Sequence, residues 1–265
     1  MHVGDALGLV DATLAWLQGP ISDSNNHHVS VGIAWHGRLM VVAWIVLAPL
    51  SILIARFYKV TTKQDWPREL DNPFWFVTHR RLGYAVGVLM TIALGLVWWS
   101  HGFMFHGASL HALGGWALLL LGAAQIAGST LRGTHGGPVH PFTRKPVPPE
   151  HWHGDHYSMT RRRIVFEYMH KALGYALMPL IGTATLSGLW VVDAPRWMWI
   201  AAFGICLGFV CAFLRLQRQD RCIDTYQAIW GVDPTLPGNR RPKAIGWGIK
   251  RYGAEDIERR SRLKR

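Results

Sequence analysis

Four histidines stand near the start of four consecutive apolar stretches of this sequence. They are His36 in His-Gly-Arg-Leu, His79 in His-Arg-Arg-Leu-Gly-Tyr, His111 in His-Ala-Leu-Gly-Gly-Trp and His170 in His-Lys-Ala-Leu-Gly-Tyr. An imidazole can bind a metal, donate a hydrogen bond or carry a proton near neutral pH. Inside an apolar segment such a side chain is costly and usually functional. The repeated placement therefore predicts one shared chemical role for the four side chains.

The apolar stretches that carry these histidines are long enough to cross a membrane. Half of the 265 residues are hydrophobic and 17% are charged, and the two kinds alternate in blocks along the chain. A bilayer core of about 30 Å needs about 20 helical residues. We therefore predict an all-α integral membrane protein, a bundle of five spans with a four-helix core. The predicted spans are 29–56, 72–101, 109–131, 164–192 and 197–216.

Basic residues are concentrated in alternate connections between these spans. The N-terminal segment and the second connection have no Lys or Arg, whereas the first loop, the third loop and the tail are rich in both. The positive-inside rule then places the N-terminus outside and the C-terminus in the cytoplasm. On this topology the net charge of +12 belongs to a cytoplasmic face, and we do not expect nucleic-acid binding. The predicted parts are a non-cytoplasmic segment 1–28, a membrane domain 29–216 with a His-rich cytoplasmic loop 132–163, and a basic cytoplasmic tail 217–265.

The predicted topology sorts the histidines into two pairs. His36 and His111 begin spans that run inward, so both lie near the outer face, whereas His79 and His170 lie near the inner face. Two imidazoles that face each other across a helix bundle are the axial ligands of a b-type haem. We therefore predict two haems b, each with its iron bound by one pair of histidines.

Three glycines follow the histidines at a fixed interval. Gly83, Gly115 and Gly174 each come four residues after a histidine, on the same face of the helix. A missing side chain at that position leaves room for a flat macrocycle. Glycine also serves close helix packing in membranes in general, which is the alternative interpretation.

Four cations stand beside the predicted ligands. Arg80, Arg81 and Lys171 directly follow the two inner histidines and could pair with haem propionates, or could be ordinary basic residues of the inner face. Arg38 lies near the predicted outer face, where cations are uncommon. We expect it to bind an outer propionate or to line a substrate site.

Other uses of histidine fit this pattern less well. Zinc and copper sites usually recruit three or four clustered ligands, often with a cysteine or a carboxylate. We expect the spans to lack carboxylates, on which proton relays usually depend, and the absence of Cys-x-x-Cys-His excludes a covalent c-type haem. Two alternatives stay open: an anchor or assembly subunit of a larger complex, and a quinone-linked dihaem cytochrome b subunit of a dehydrogenase.

At these residues the sequence resembles the cytochrome b561 family, in particular the eukaryotic-type domain that is also found fused to DOMON modules. The resemblance covers about residues 30–216. The residues that carry it are His36-Gly37-Arg38-Leu39-Met40 with Pro49 and Ala55-Arg56, His79, His111 with Leu113-Gly114 and Gln125, and His170 with Leu173-Gly174.

The resemblance implies transmembrane electron transfer through two haems b, held by histidines of alternate helices, and an enzyme of the b561-type reductase class. The family usually has six spans where this chain has five, and the stretch Phe74–Thr78 has none of the lysines through which some members bind ascorbate. These departures suggest a divergent, bacterial member in the inner membrane. Besides the lipid bilayer, the expected partners are a small reductant (quinol or ascorbate) or a redox protein, with a homo-oligomer or a larger membrane complex also open.

Overall fold

The computed structural model describes residues 3–23, 29–102, 109–134, 136–140, 143, 145–253 and 255–256, with side chains from residue 8 onward. Parts of the predicted N-terminal segment, second connection, His-rich loop and basic tail lie outside the described residues. The described part is helical and contains no strand. Its helices are α1 (Val3–Gln18), α2 (Val31–Met40), α3 (Ala48–Phe57), α4 (Pro73–His101), α5 (Leu110–Gly128), α6 (Asp155–Ser158), α7 (Arg161–Val191), α8 (Arg196–Arg218) and α9 (Thr225–Trp230).

Five stretches are long and apolar enough to cross a membrane, which confirms the all-α class and the number of spans. They are Val31–Phe57, Pro73–His101, Leu110–Arg132, Arg161–Val191 and Arg196–Arg218. The first consists of α2, a π-helical stretch Val41–Leu47 and α3, and the third is α5 with the 3₁₀ turn Ser129–Arg132. The observed ends lie within three residues of the predicted ones.

Short polar side chains begin three of the spans. The Ser30 hydroxyl accepts a hydrogen bond from the Ile33 amide, and the Asn72 side chain accepts one from the Phe74 amide just before Pro73. The Ser109 hydroxyl accepts one from the Ala112 amide at the start of α5. These caps satisfy amides that have no partner within the helix. His111 is consequently in the first turn of α5.

Proline shapes the first span. Pro49 is the second residue of α3 and cannot donate a backbone hydrogen bond. The stretch before it is π-helical, and the Ala48 amide donates to the Ala43 carbonyl, five residues back. A π-helical turn is one of the ways in which a helix accommodates a proline and its missing hydrogen bond.

The chain forms two compact units, each assembled from several separate pieces of sequence. The first unit is Met1–Pro49, Ala85–Gly122 and Leu177–Val210, and the second is Leu50–Tyr84, Ala123–Ala176 and Cys211–Arg265. His36 and His111 belong to the first unit, and His79 and His170 belong to the second. The predicted domain boundaries, which follow the order of the sequence, remain predictions.

In the first unit, α1 is fastened to the turn that precedes α8. Arg196 forms an ion pair with Asp23 and donates a hydrogen bond to the Trp16 carbonyl at 3.1 Å. The Ser22 hydroxyl and amide both donate to the Asp193 carboxylate. These contacts fix the end of α1 at the start of a span.

In the second unit, the described part of the basic tail folds into a compact body. Every residue of α9 is buried. Tyr226 and Trp230 pack with Ile54 and Trp75 from the ends of two spans, and the Trp230 indole donates a hydrogen bond to the ring of His156 at 3.2 Å. The His-rich loop and the tail therefore share one hydrophobic core with the span ends of this unit.

A buried lysine lies in this body. The Lys59 ammonium donates hydrogen bonds to the Arg56 carbonyl at 3.2 Å and to the Ile223 carbonyl at 3.0 Å, and the residue is 5% exposed. Burial lowers the pKa of Lys59 to about 8, with smaller opposing effects from the nearby acids Asp224 and Glu167. Folding therefore disfavours the charged form of this side chain.

The buried lysine predicts a pH dependence of stability. Between about pH 8 and pH 10.5 the unfolded chain keeps the Lys59 proton that the folded chain has released, so stability rises with pH across this window. The rise from this group should reach at most roughly 3 kcal/mol. We expect it to be lost in Lys59→Met and kept in Lys63→Met, a change on the exposed part of the same loop. Chemical unfolding in detergent at pH 7.5 and pH 10 measures it, and equal pH slopes in the two variants would contradict it.

Candidate functional site

The four predicted histidines come together as two pairs, one within each unit. The ring centres of His36 and His111 are 6.3 Å apart, with an angle of 86° between the ring planes. Those of His79 and His170 are 6.0 Å apart, at 84°. Each pair joins alternate spans, the first with the third and the second with the fourth.

This spacing fits an iron between the two rings of each pair. Metal–imidazole bonds of about 2 Å on both sides would set the ring centres roughly 6 Å apart. The nearly perpendicular planes are compatible with that arrangement, because each ring can rotate about its own bond to the metal. Among the described residues, no group of three or more His, Cys, Asp or Glu side chains could hold a metal ion. The donor set is therefore two imidazoles per site, as in bis-histidine haem ligation.

Backbone carbonyls of neighbouring spans orient three of the four rings. The Nδ1 atom of His36 lies 3.0 Å from the Ala93 carbonyl oxygen, and that of His111 lies 3.0 Å from the Ala184 carbonyl oxygen. The Nδ1 atom of His79 lies 3.1 Å from the Ser51 carbonyl oxygen and 2.8 Å from the Ser51 hydroxyl. A ring that donates its Nδ1–H keeps the lone pair on Nε2, which is the usual state of a metal-binding histidine.

His170 is held by different contacts. Its ring stacks on Phe166, with centres 5.3 Å apart and planes at 27°. Its backbone carbonyl accepts a hydrogen bond from the Gln125 side chain at 2.9 Å, which ties the third span to the fourth. Gln125 thus positions the backbone at His170.

The three predicted glycines have different surroundings. A Cβ atom added at Gly83 or Gly115 would meet nothing within 4 Å, whereas one at Gly174 would lie 3.4 Å from the Gln125 amide nitrogen. Open space one helical turn from His79 and His111 is compatible with a flat ligand there. Gly174 has a second use, since it admits the side chain that binds the His170 carbonyl.

The four predicted cations are placed unequally. Arg38 and Arg80 are exposed and stack on aromatic rings of their own helices, Arg38 on Trp35 at 5.1 Å and Arg80 on Phe76 at 5.5 Å. Arg81 is exposed.

Lys171 forms an ion pair with Glu167 at 2.6 Å and donates to the Ile245 carbonyl at 2.5 Å. The Lys171 ammonium is therefore bound to partners within the protein and does not form part of an open anion site.

The expectation that the spans lack carboxylates is wrong. Glu167 lies inside α7, three residues before His170, and is 5% exposed. Its carboxylate pairs with Lys171 and lies 3.6 Å from the Arg163 guanidinium. A buried carboxylate needs such partners, and the spacing of four residues to each cation already allows both pairs on one helix face.

Three further residues of the sites do not stand out in the sequence. Ser51 binds His79, and Arg132 stacks on Phe76 at 4.6 Å beside Arg80. A Cβ atom at Gly188 would lie 2.8 Å from Cε1 and 3.0 Å from Nδ1 of His111, so this glycine lets the ring reach the fourth span. A lone polar residue in an apolar run is the one sequence signal for Ser51, and Gly188 has none beyond being a glycine in a span.

Comparisons with known proteins find ferric-chelate reductases. The chain is 26% identical over 196 residues to a Xenopus laevis protein named as a candidate ferric-chelate reductase 1, which covers 72% of this chain and 29% of that protein. It is 30% and 31% identical over 118 residues to ferric-chelate reductase 1 of Bos taurus and of Mus musculus, which covers 44% of this chain and 19% of each relative. The chain thus spans less than a third of the length of these relatives. No family model and no solved structure matches it.

The relatives bear on two earlier expectations. Their names support an oxidoreductase class for the similar region. All three come from animals, so they give no support to a bacterial inner membrane for this chain, and the orientation of its termini stays a prediction.

The contact between Gly188 and His111 predicts a specific steric effect. Gly188→Ala should destabilise the protein by about 1–3 kcal/mol, because a methyl group would overlap the His111 ring. Thermal unfolding in detergent measures this change. Gly182→Ala on the same helix, where a Cβ atom meets nothing within 4 Å, is the matched control and should be close to neutral.

A double-mutant cycle identifies the cause. In a His111→Ala background, which removes the ring, Gly188→Ala should lose most of its effect. An equal effect in both backgrounds would show that the methyl group meets something other than His111.

Proposed function

We propose that this chain is a divergent cytochrome b561 that carries electrons across a membrane through two haems b, one held by His36 and His111 and one by His79 and His170. The observation that supports this most is the spacing of the two pairs, 6.3 Å and 6.0 Å, with Nδ1 of three rings at a backbone carbonyl. The similarity to reductases supports the oxidoreductase class independently.

A bound haem supplies an iron that takes up and releases one electron at a time. The residues of the chain do the rest. His36, His79 and His111 donate Nδ1–H to carbonyls of neighbouring spans and thereby present Nε2 to the metal. The apolar spans keep water from the sites, and the fixed ring positions reduce the rearrangement that accompanies each change of charge.

Arginines would neutralise the carboxylates of the inner haem. Arg80 follows His79 in sequence, and both Arg80 and Arg132 stack on Phe76, which brings two guanidinium groups together on one ring. Guanidinium groups bind carboxylates in bidentate geometry. Arg81 and Arg38, both exposed, are the remaining candidates at the inner and the outer site.

The direction of flow is proposed from the relatives. Their names make a ferric chelate the first electron acceptor to test, with a quinol or ascorbate as the donor. In vesicles that contain the purified chain, the donor should reduce the haems, which is followed by their b-type absorption band. A ferric chelate added on the opposite side should reoxidise them. A chain without haem would instead be the result expected of an anchor subunit.

Single histidine replacements should remove one haem each. His79→Ala and His170→Ala should lose the inner haem, and His36→Ala and His111→Ala the outer one, so each variant keeps about half of the wild-type haem. Each haem depends on both histidines of its own pair, so the loss of one histidine should release that haem. The haem on the other pair keeps both of its ligands. Pyridine haemochrome analysis of the purified protein measures haem per chain.

Combinations distinguish the pairs. The double variant His79→Ala/His170→Ala should keep as much haem as either single variant, whereas His36→Ala/His79→Ala should keep none. His153→Ala in the exposed loop is the control and should keep the full content. Full haem in any of the four single variants would contradict the assignment of that residue.

The buried carboxylate beside the inner pair should tune its potential. Glu167→Gln removes a negative charge near His170, which favours the reduced haem, so the midpoint potential of the inner haem should rise by tens of millivolts. Spectroscopic redox titration of the purified protein measures the shift, and the potential of the outer haem should change less.

Two variants control for indirect effects. Glu167→Asp keeps the charge and should keep the potential near that of the wild type, and Glu150→Gln changes an exposed carboxylate of the loop. An unchanged midpoint potential of the inner haem in Glu167→Gln, with both haems bound, would contradict the tuning role of Glu167. It would not affect the assignment of the proposed ligands.

A further inference from the structure

Exposed large hydrophobic side chains lie almost entirely within the five spans, where lipid can cover them. In the described part of the chain, two places outside the spans carry such side chains. One is α1 with the turn that follows it, through Leu9, Val10, Leu14, Trp16 and Ile21. The other is a single residue of the tail, Trp247, which is 70% exposed. This tryptophan is the unexplained one, because it belongs to the otherwise well-buried body of the second unit.

The backbone around Trp247 is built to hold the indole outward. Gly246 and Gly248 flank it with φ of +114° and +63°, a region that other residues rarely adopt. A Cβ atom at Gly248 would lie 3.1 Å from both the Arg56 guanidinium and the Gln217 amide nitrogen. The loop can therefore dock closely only with glycine there, and the tryptophan between the two glycines stays largely exposed.

This loop docks on the ends of two spans. The Arg56 guanidinium donates to the Trp247 carbonyl at 2.8 Å and to the Gln217 side chain at 2.8 Å. The Gln217 side chain in turn donates to the Gly248 carbonyl at 2.7 Å. The guanidinium also lies 5.8 Å from the centre of the Trp247 ring. The position of Trp247 is thus tied to Arg56 and Gln217.

The lengths of the two spans set the depth of these residues in a bilayer. Arg56 and Gln217 are the penultimate residues of spans with 27 and 23 residues. At 1.5 Å per residue these spans are about 40 Å and 35 Å long, so their ends extend beyond a hydrocarbon core of about 30 Å. In spans that are centred in the bilayer, both residues, and with them the loop, therefore lie at the level of the lipid headgroups.

We propose that Trp247 inserts into the headgroup region of the bilayer and anchors the folded tail to the membrane surface. Tryptophan favours this region, because its ring is apolar while its N–H can bond to polar lipid groups. Exposed cations stand close by in sequence and at the end of α8, namely Arg215, Arg218 and Lys243, and they suit anionic headgroups. The ligand is thus a phospholipid surface, and the inference does not depend on haem.

Fluorine NMR of the full chain in lipid nanodiscs tests this contact. The protein is labelled with 5-fluorotryptophan, and Trp247→Phe assigns the resonance of Trp247, with Trp247→Tyr as a second assignment should the first variant fold poorly. Two reference residues are assigned in the same way. Trp99 is 89% exposed within a span, and Trp66 is 3% exposed within the folded body of the second unit.

Nanodiscs are then prepared with and without a lipid that carries a nitroxide on its headgroup. We expect the label to remove at least half of the intensity of the Trp247 and Trp99 resonances, and to affect that of Trp66 much less. A Trp247 resonance that behaves like that of Trp66 overturns the proposal and leaves a protein partner as the cover of this side chain.

Discussion

The hydrogen bond from a histidine ring to a backbone carbonyl of a neighbouring span is the interaction on which the candidate sites depend. It is made by His36, His79 and His111, and each time it joins two spans that are neighbours in sequence. Such bonds contribute only about 0.6–2 kcal/mol in membranes, so their main effect is on orientation. They fix which ring nitrogen carries the proton in these three histidines, and they leave the other nitrogen available for a metal.

The same interaction explains which parts of the site could be read from the sequence. Long apolar runs and capping residues predict the spans, and the alternating direction of the spans predicts the pairs. Both predictions use features of individual segments. Ser51 and Gly188 depend instead on how one helix lies against another, which no single segment encodes. Glu167 is a different case. Its spacing of four residues to Arg163 and to Lys171 indicates the two ion pairs, but a carboxylate is not expected within an apolar run.

The tail was predictable only as a basic segment without a span. Its composition does not reveal that α9 is wholly buried or that Trp230 packs against residues from the ends of two spans. The reason is that the core of this body is shared: aromatic residues of the tail find their partners in Ile54 and Trp75. The second unit therefore combines a candidate redox site with a folded surface, and Lys171 contacts both through Glu167 and the Ile245 carbonyl.

The fastening of Arg56 has a consequence for the biogenesis of the protein. This buried guanidinium binds the Trp247 carbonyl, 191 residues further along the chain. At about 5–20 residues per second, a ribosome needs roughly 10–40 s to make that stretch. During this time the first span has already been synthesised, but Arg56 near its end lacks the Trp247 carbonyl. Water, lipid headgroups or the insertion machinery must solvate Arg56 until Trp247 has been synthesised, so this contact closes well after the first span has been made.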